Sequence, residues 1–181
     1  MYNFACELKD RKGGQLVPLF VHYKSTMLDK TIVYQTVEEK IQNTDYFIVD
    51  VKVTPDNQIT VEIDCQNGVD IDFCTELLRY IESIFDREVE DYALEVGSAG
   101  LTQPFKVIKQ YKKNIGNEVE VLSKSGQKLS GVLLSAEENG FEIEIEKLVK
   151  TEGAKRKISI KEKIPFLYEE VKYTKYIIRF K

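Results

Sequence analysis

Tryptophan is missing from this chain, histidine occurs once, and proline only four times among 181 residues. The one histidine, His22, sits within the first 26 residues. The remainder therefore has no imidazole for acid–base work near neutral pH and none to hold zinc. Cysteine is as sparse: Cys6, Cys65 and Cys74 are an odd, scattered set without a CxxC pair, which excludes a disulfide framework and a zinc ribbon. Cys65 and Cys74 each fall on the apolar side of their local pattern and are expected as free thiols in a core, which fits a reducing, cytoplasmic compartment. No apolar run approaches the roughly 20 residues of a membrane-spanning helix, so no membrane partner is expected. With 43% hydrophobic residues and so little proline, the chain suits one or two packed domains and not a disordered class.

What is present is charge, unevenly placed. Residues 27–103 hold 5 Lys/Arg against 17 Asp/Glu, a net of −12. Residues 104–181 hold 17 against 11, a net of +6. Such opposition between halves points to partners of opposite sign: a basic protein for the first half, a nucleic-acid backbone for the second.

Hydrophobic periodicity predicts a helix over 28–42, with Ile32, Val33, Val37 and Ile41 on one face. A strand over 46–54 alternates Phe47, Val49, Val51 and Val53 with Ile48, Asp50 and Lys52. Pro55-Asp56-Asn57 is a turn by residue type, and a strand over 58–65 completes a hairpin with Ile59, Val61, Ile63 and Cys65 on one face. Glu62 and Asp64 then fall on the exposed face. Asp70 is suited to cap a second helix reaching Phe85, whose stripe is Ile71, Cys74, Leu77, Leu78, Ile81 and Phe85. A third strand follows at 92–96. This order, α-β-β-α-β, predicts an α+β layer with both helices on one face of the sheet. Farther on, 106–115 reads as a short basic helix or turn. Short strands at 117–123, 128–135, 141–150, 157–163 and 173–180 suggest a small β-barrel, with Pro165 and the following turn before the closing strand. The chain thus divides into an extension at 1–26, an acidic α+β domain at 27–100, a connector at 101–116 and a basic barrel at 117–181.

The halves meet at Leu94-Glu95-Val96-Gly97-Ser98-Ala99-Gly100-Leu101-Thr102-Gln103-Pro104-Phe105. Glycine allows φ > 0 and proline fixes the exit direction, so Gly97, Gly100 and Pro104 are the expected interdomain hinge. The glycines do not make a phosphate loop, since no Walker lysine and no dinucleotide fingerprint accompany them. Ser98 directly follows Gly97, so G-x-S-x-G is absent as well.

This stretch resembles the EVSSPGLDRPL segment of the bacterial ribosome maturation factor P family. The likeness continues through Phe105, Tyr111, Asn114-Ile115-Gly116, Glu118-Val119, Val121 and Gly131-Val132-Leu133, and covers about residues 31–180. Ala99 stands where the family has proline, and Thr102-Gln103 where it has Asp-Arg, so no role of that arginine transfers. The resemblance implies an SH3-like or Sm-like barrel as second domain, in agreement with the strand pattern. It also implies a non-catalytic factor for assembly of the small (30S) ribosomal subunit, binding immature 16S rRNA and a basic small-subunit ribosomal protein. No cofactor and a monomer are expected. Family members usually begin near Met27, so residues 1–26 are expected to be an upstream extension.

Candidate RNA contacts are Lys106, Lys109, Lys112 and Lys113, then Lys124 and Lys128, then Lys155, Arg156 and Lys157. Lysine suits sequence-independent phosphate contact better than base readout, and no RNP1 or GXXG signature is present. Carboxylates are abundant, Asp50 for example, and Glu62, Asp64, Glu88, Glu90 and Asp91 are read as solvated acidic surface able to dock a basic protein. Two other classes stay open. One is a peptide-binding barrel using Tyr92, Tyr111, Phe141, Phe166, Tyr168, Tyr173, Tyr176 and Phe180. The other is a hydrolase with a carboxylate-bound metal.

Overall fold

Asp29 accepts the Thr31 amide at 2.6 Å and so starts α1 (Lys30–Ile41). The computed structural model describes residues 28–149 and 158–179. The proposed start at Met27, the 1–26 extension, Phe180 and the cluster Lys155, Arg156 and Lys157 lie outside the described residues.

After α1, β1 (Tyr46–Val53) and β2 (Gln58–Cys65) form an antiparallel hairpin. Its turn places Asn57 at φ 56, a left-handed conformation that asparagine tolerates. The Asn57 Nδ2 donates to Glu90 Oε1 and to the Asp91 carbonyl, both at 3.1 Å, which ties the turn to the loop ahead of β3 (Ala93–Ser98). α2 (Ile71–Ile84) begins at Asp70, whose carboxylate accepts the Asp72 amide at 3.0 Å. It carries the chain back so that β3 lies parallel to β2, the central strand of the sheet β1-β2-β3. Val33 and Val37 of α1 and Leu77 and Ile81 of α2 pack on Val51, Ile59, Val61 and Ile63. At the start of α2 the expected stripe is shifted. Ile71 is 80% exposed, and Phe73 takes the place against the sheet, stacked on Tyr46 with ring centroids 3.7 Å apart.

Simple alternation fails in β1. The pairing register skips between Ile48 and Asp50. Tyr46 and Ile48 oppose Cys65 and Ile63, whereas past the skip Val51 and Val53 oppose Val61 and Ile59, all on the helix-covered side. Phe47, which alternation groups with Val51 and Val53, instead opposes Asp64, and Asp50 opposes Glu62, on the other side of the sheet.

The second lobe is built from α3 (Ile108–Lys113), β4 (Glu118–Ser123), β5 (Lys128–Ala136), β6 (Gly140–Val149), β7 (Ile158–Leu167) and β8 (Val171–Tyr176). β4 to β7 form a meander. After a 3-10 turn at Tyr168–Glu170, β8 returns beside β4, giving the antiparallel order β7-β6-β5-β4-β8. The chain as a whole is α+β. Tyr111 of α3 enters the second core, its ring centroid 5.0 Å from those of Phe105, Phe141 and Tyr168, above Val119, Val121, Leu133 and Ile143. Pro165 and the turn after it precede the closing strand, as expected, and Pro165 itself lies within β7, past the expected end of that strand at 163. β7 is an edge strand paired only with β6, where a missing N–H need not cost a ladder bond.

Among the described glycines positive φ belongs to Gly68, Gly116 and Gly126. Neither Gly97 nor Gly100 has a positive φ, so the conformational reason for expecting a hinge at them does not hold. Gly97 lies inside β3 and has open space where a Cβ would stand. A Cβ at Gly140 would overlap the Phe166 carbonyl on β7. Gly140→Ala is therefore expected to cost about 1–3 kcal/mol in urea denaturation, and Gly97→Ala to stay within about 0.5 kcal/mol of the parent.

Candidate functional site

The segment between the lobes is short and tied at both ends. The Ala99 amide donates to the Ile63 carbonyl of β2 at 3.0 Å, and the Phe105 amide to the Thr174 carbonyl of β8 at 2.8 Å. Between them a turn closes from the Gln103 amide to the Gly100 carbonyl. The start of α3 is then fixed by buried Gln110, whose Oε1 accepts the Lys106 amide at 2.7 Å and the Val107 amide at 3.4 Å. This sets the direction in which Lys106 leaves the backbone.

That direction is toward the uncovered face of the first sheet. Lys106 Nζ donates to Asp50 Oδ2 at 2.9 Å and to Glu62 Oε2 at 2.6 Å. One helical stretch farther, Lys113 Nζ donates to Asp64 Oδ1 at 2.7 Å. The same oxygen accepts the Cys65 amide at 2.8 Å. Between these pairs the Lys109 ammonium stands 5.6 Å from the centroid of the Phe47 ring, a cation–π contact. Lys52 also pairs with Asp50 and Glu62, at 3.7 and 3.6 Å. Beside the contact, a cleft of about 880 Å³ opens between α1, the start of β1 and residues 106–109, lined among others by Tyr34, Glu38, Phe47 and Lys109.

Partial burial pushes the Asp50 carboxyl up, but the Lys106 hydrogen bond and the charges of Lys106, Lys52 and Lys30 outweigh it and hold it below the ordinary value. Partial burial pulls Lys106 down, and its bonds to Glu62 and Asp50 leave it above the ordinary value.

The candidates of the sequence divide accordingly. Glu62 and Asp64 are not on a solvated face: Glu62 is half-buried and Asp64 buried, because the second lobe's lysines cover them. Lys106 and Lys113 are their partners. Lys109, Lys112 and Lys124 are exposed. Lys128 pairs with Glu120 at 2.9 Å, and Glu120 also accepts the Tyr173 hydroxyl at 2.9 Å. Those bonds, Lys128 first, hold Glu120 below the ordinary range despite some burial. Glu88 and Asp91 are exposed in the loop before β3, while Glu90 is half-buried and serves Asn57. Tyr92 belongs to the first core, its hydroxyl donating to the Phe85 carbonyl at 2.9 Å. Among the described residues no group of three or more His, Cys, Asp or Glu side chains is arranged to hold a metal ion. No described helix is long and apolar enough to cross a membrane. Sequence reasoning missed Phe47, Gln110 and the pairing of Asp50. For Phe47 the signal lay in the β1 register, which a single strand does not reveal; alternation already places Asp50 away from Val51, and what it cannot show is a partner from the other lobe.

Fold and site together define a two-lobed α+β protein whose oppositely charged lobes share an ionic contact. A family profile described as the RimP N-terminal domain matches residues 36–102. A Porphyromonas gingivalis protein named "Ribosome maturation factor RimP" is 39% identical over 152 residues, covering 84% of this chain and 100% of the relative. Proteins of the same name are 30% identical in Christiangramia forsetii, over 81% of this chain and 96% of the relative, and 28% identical in Cytophaga hutchinsonii, over 84% and 95%. The chain belongs to the ribosome maturation factor RimP family.

Two outcomes test the contact itself. Asp50, with its lowered pKa, contributes stability above about pH 4 that is lost as pH falls through its folded value. Lys106, with its raised pKa, contributes below about pH 10 and loses this as pH rises through its folded value. The stability difference between the parent and Lys106→Met should therefore be flat across that window and shrink at both ends. Second, Lys113→Ala leaves the buried Asp64 carboxylate without its cation and is expected to cost about 1–3 kcal/mol. In chemical denaturation the double variant Asp64→Ala/Lys113→Ala should recover part of that cost.

Proposed function

We propose that this chain is a ribosome maturation factor that acts on the small subunit by binding and not by covalent chemistry. What carries the reading is its likeness to a protein named ribosome maturation factor across that relative's whole length, at 39% identity. The charge split supports a division of labour. The second lobe, in the half with 17 Lys/Arg against 11 Asp/Glu, meets immature 16S rRNA through its phosphates. The first, in the half with a net of −12, meets a basic small-subunit ribosomal protein. Lys109, Lys112 and Lys124 are exposed and make the first phosphate contacts, and exposed Lys128 adds to them. The protein works in the cytoplasm, and no cofactor enters the activity. The peptide-binding alternative is disfavoured by the rings themselves: Tyr111, Phe141, Phe166 and Tyr168 pack on one another at 5.0 to 5.7 Å, where a peptide groove needs free ring faces.

The purified protein is expected to co-sediment with small-subunit precursors at low salt. The triple variant Lys109→Ala/Lys112→Ala/Lys124→Ala should flatten the dependence of log affinity for rRNA on log salt by about 0.7–0.9 for each phosphate that is no longer neutralised. An unchanged slope removes the RNA half of the reading.

A further inference from the structure

Lys106 and Lys113 sit in the basic half yet are already neutralised by the acidic one. Each donates from Nζ to a first-lobe carboxylate, Lys106 to Asp50 and Glu62, Lys113 to Asp64, at 2.6 to 2.9 Å. An ammonium held this way is not available to a phosphate. The two hydrophobic cores have no member in common, so the contact between the lobes is chiefly one of charges and of Lys109 over Phe47. The connection is also loose enough to let go. Only residues 100–104 lie between the tied Ala99 and Phe105 amides. Five extended residues reach about 17 Å, so the lobes can part without unravelling either sheet.

We propose that this contact is a latch: closed, it withholds Lys106 and Lys113, and a nucleic-acid backbone that engages these lysines opens it. The inference rests on the reading of the second lobe as a phosphate-binding surface and adds a regulation to it. Physically, the exchange is near balance. A phosphate oxygen accepts a charge-assisted bond from lysine much as a carboxylate does, so the swap trades like for like. Release of condensed counterions from the polyanion tips it toward opening. The exposed Lys112 on α3, outside the contact, makes the first encounter, and the latched lysines follow. Because coupling is reciprocal, whatever opens the latch also raises affinity for the polyanion.

The test uses the full chain carrying a donor and acceptor dye at Glu76→Cys on α2 and Ser125→Cys in the β4–β5 turn, both exposed positions, with Cys6→Ser and Cys74→Ser. Poly(U) RNA is the probe. Energy transfer is expected to fall on adding poly(U). It should also be low, without RNA, in the variant Asp50→Asn/Glu62→Gln/Asp64→Asn. If the parent latch is closed about nine-tenths of the time, that variant should bind poly(U) about tenfold more tightly. A control with the same charge change away from the contact, Asp56→Asn/Glu88→Gln/Asp91→Asn, should keep the parent's energy transfer and gain less than the unlatched variant. Tight poly(U) binding with unaltered energy transfer overturns the latch and leaves the RNA reading standing. Equal affinity gains in the variant and its control overturn it too. Failure of both parent and unlatched variant to bind poly(U) defeats the RNA reading and the latch built on it, even if the neutralised variant opens.

Discussion

Lys106 bridges Asp50 and Glu62, two carboxylates that the register of the β1–β2 hairpin sets opposite each other. A sheet with helices on one face must do something with the other. Here the skip turns Phe47 outward to join Asp50, Glu62 and Asp64, whereas uninterrupted alternation would set Phe47 on the same side as Val51. The outer face thus presents one ring and three carboxylates within reach of three lysines that a single short helix and its lead-in carry. The Gln110 bond to the Lys106 amide aims that lysine at this face, and the lysines leave Glu62 half-buried and Asp64 buried.

Much of the fold is legible from periodicity. β2, the cap at Asp70 and the turn at Asn57 follow from alternation and turn chemistry alone, and the meander of the second lobe from its evenly spaced turns. What resists is whatever depends on two segments at once. The bulge between Ile48 and Asp50 is invisible in β1, since Phe47-Ile48-Val49 is apolar throughout and fits either register. Pro165 looks like punctuation until β7 is known to be an edge. Gly97 and Gly140 look alike in the sequence, yet one faces space and the other a carbonyl. The candidate lysines and carboxylates are each visible as charges. That Lys106 belongs to Glu62, and Lys113 to Asp64, emerges only once the lobes stand side by side.

Charge pairs within the second lobe differ in kind from those between lobes. Lys128, Lys161 and Lys163 pair with Glu120, Glu144 and Glu142 across adjacent strands, and each lysine is well over half exposed. Exposed pairs contribute about 0–1 kcal/mol and are screened by salt, so such lysines keep most of their capacity for another anion. They soften the lobe's positive field without hiding it. Between the lobes, the Lys113–Asp64 pair does hide its members, so the same residue type has two availabilities on one surface.

The two interlobe pairs are themselves unequal. Lys106 is 35% exposed and its partners 22% and 26%, against 18% and 12% for Lys113 and Asp64. Salt and competing anions reach the outer pair first, and Asp64 has in addition the Cys65 amide to hold its position. Opening would then begin at Lys106, next to the short connection, and turn about the Lys113 end of α3. Lysine suits this use. Its ammonium is a compact, strongly hydrated charge on a flexible stem, whereas arginine's planar fork grips a carboxylate bidentately and yields it less readily. All three cations that α3 and its lead-in turn toward the first sheet, Lys106, Lys109 and Lys113, are lysines. Such a contact is strong enough to orient two lobes and weak enough to exchange.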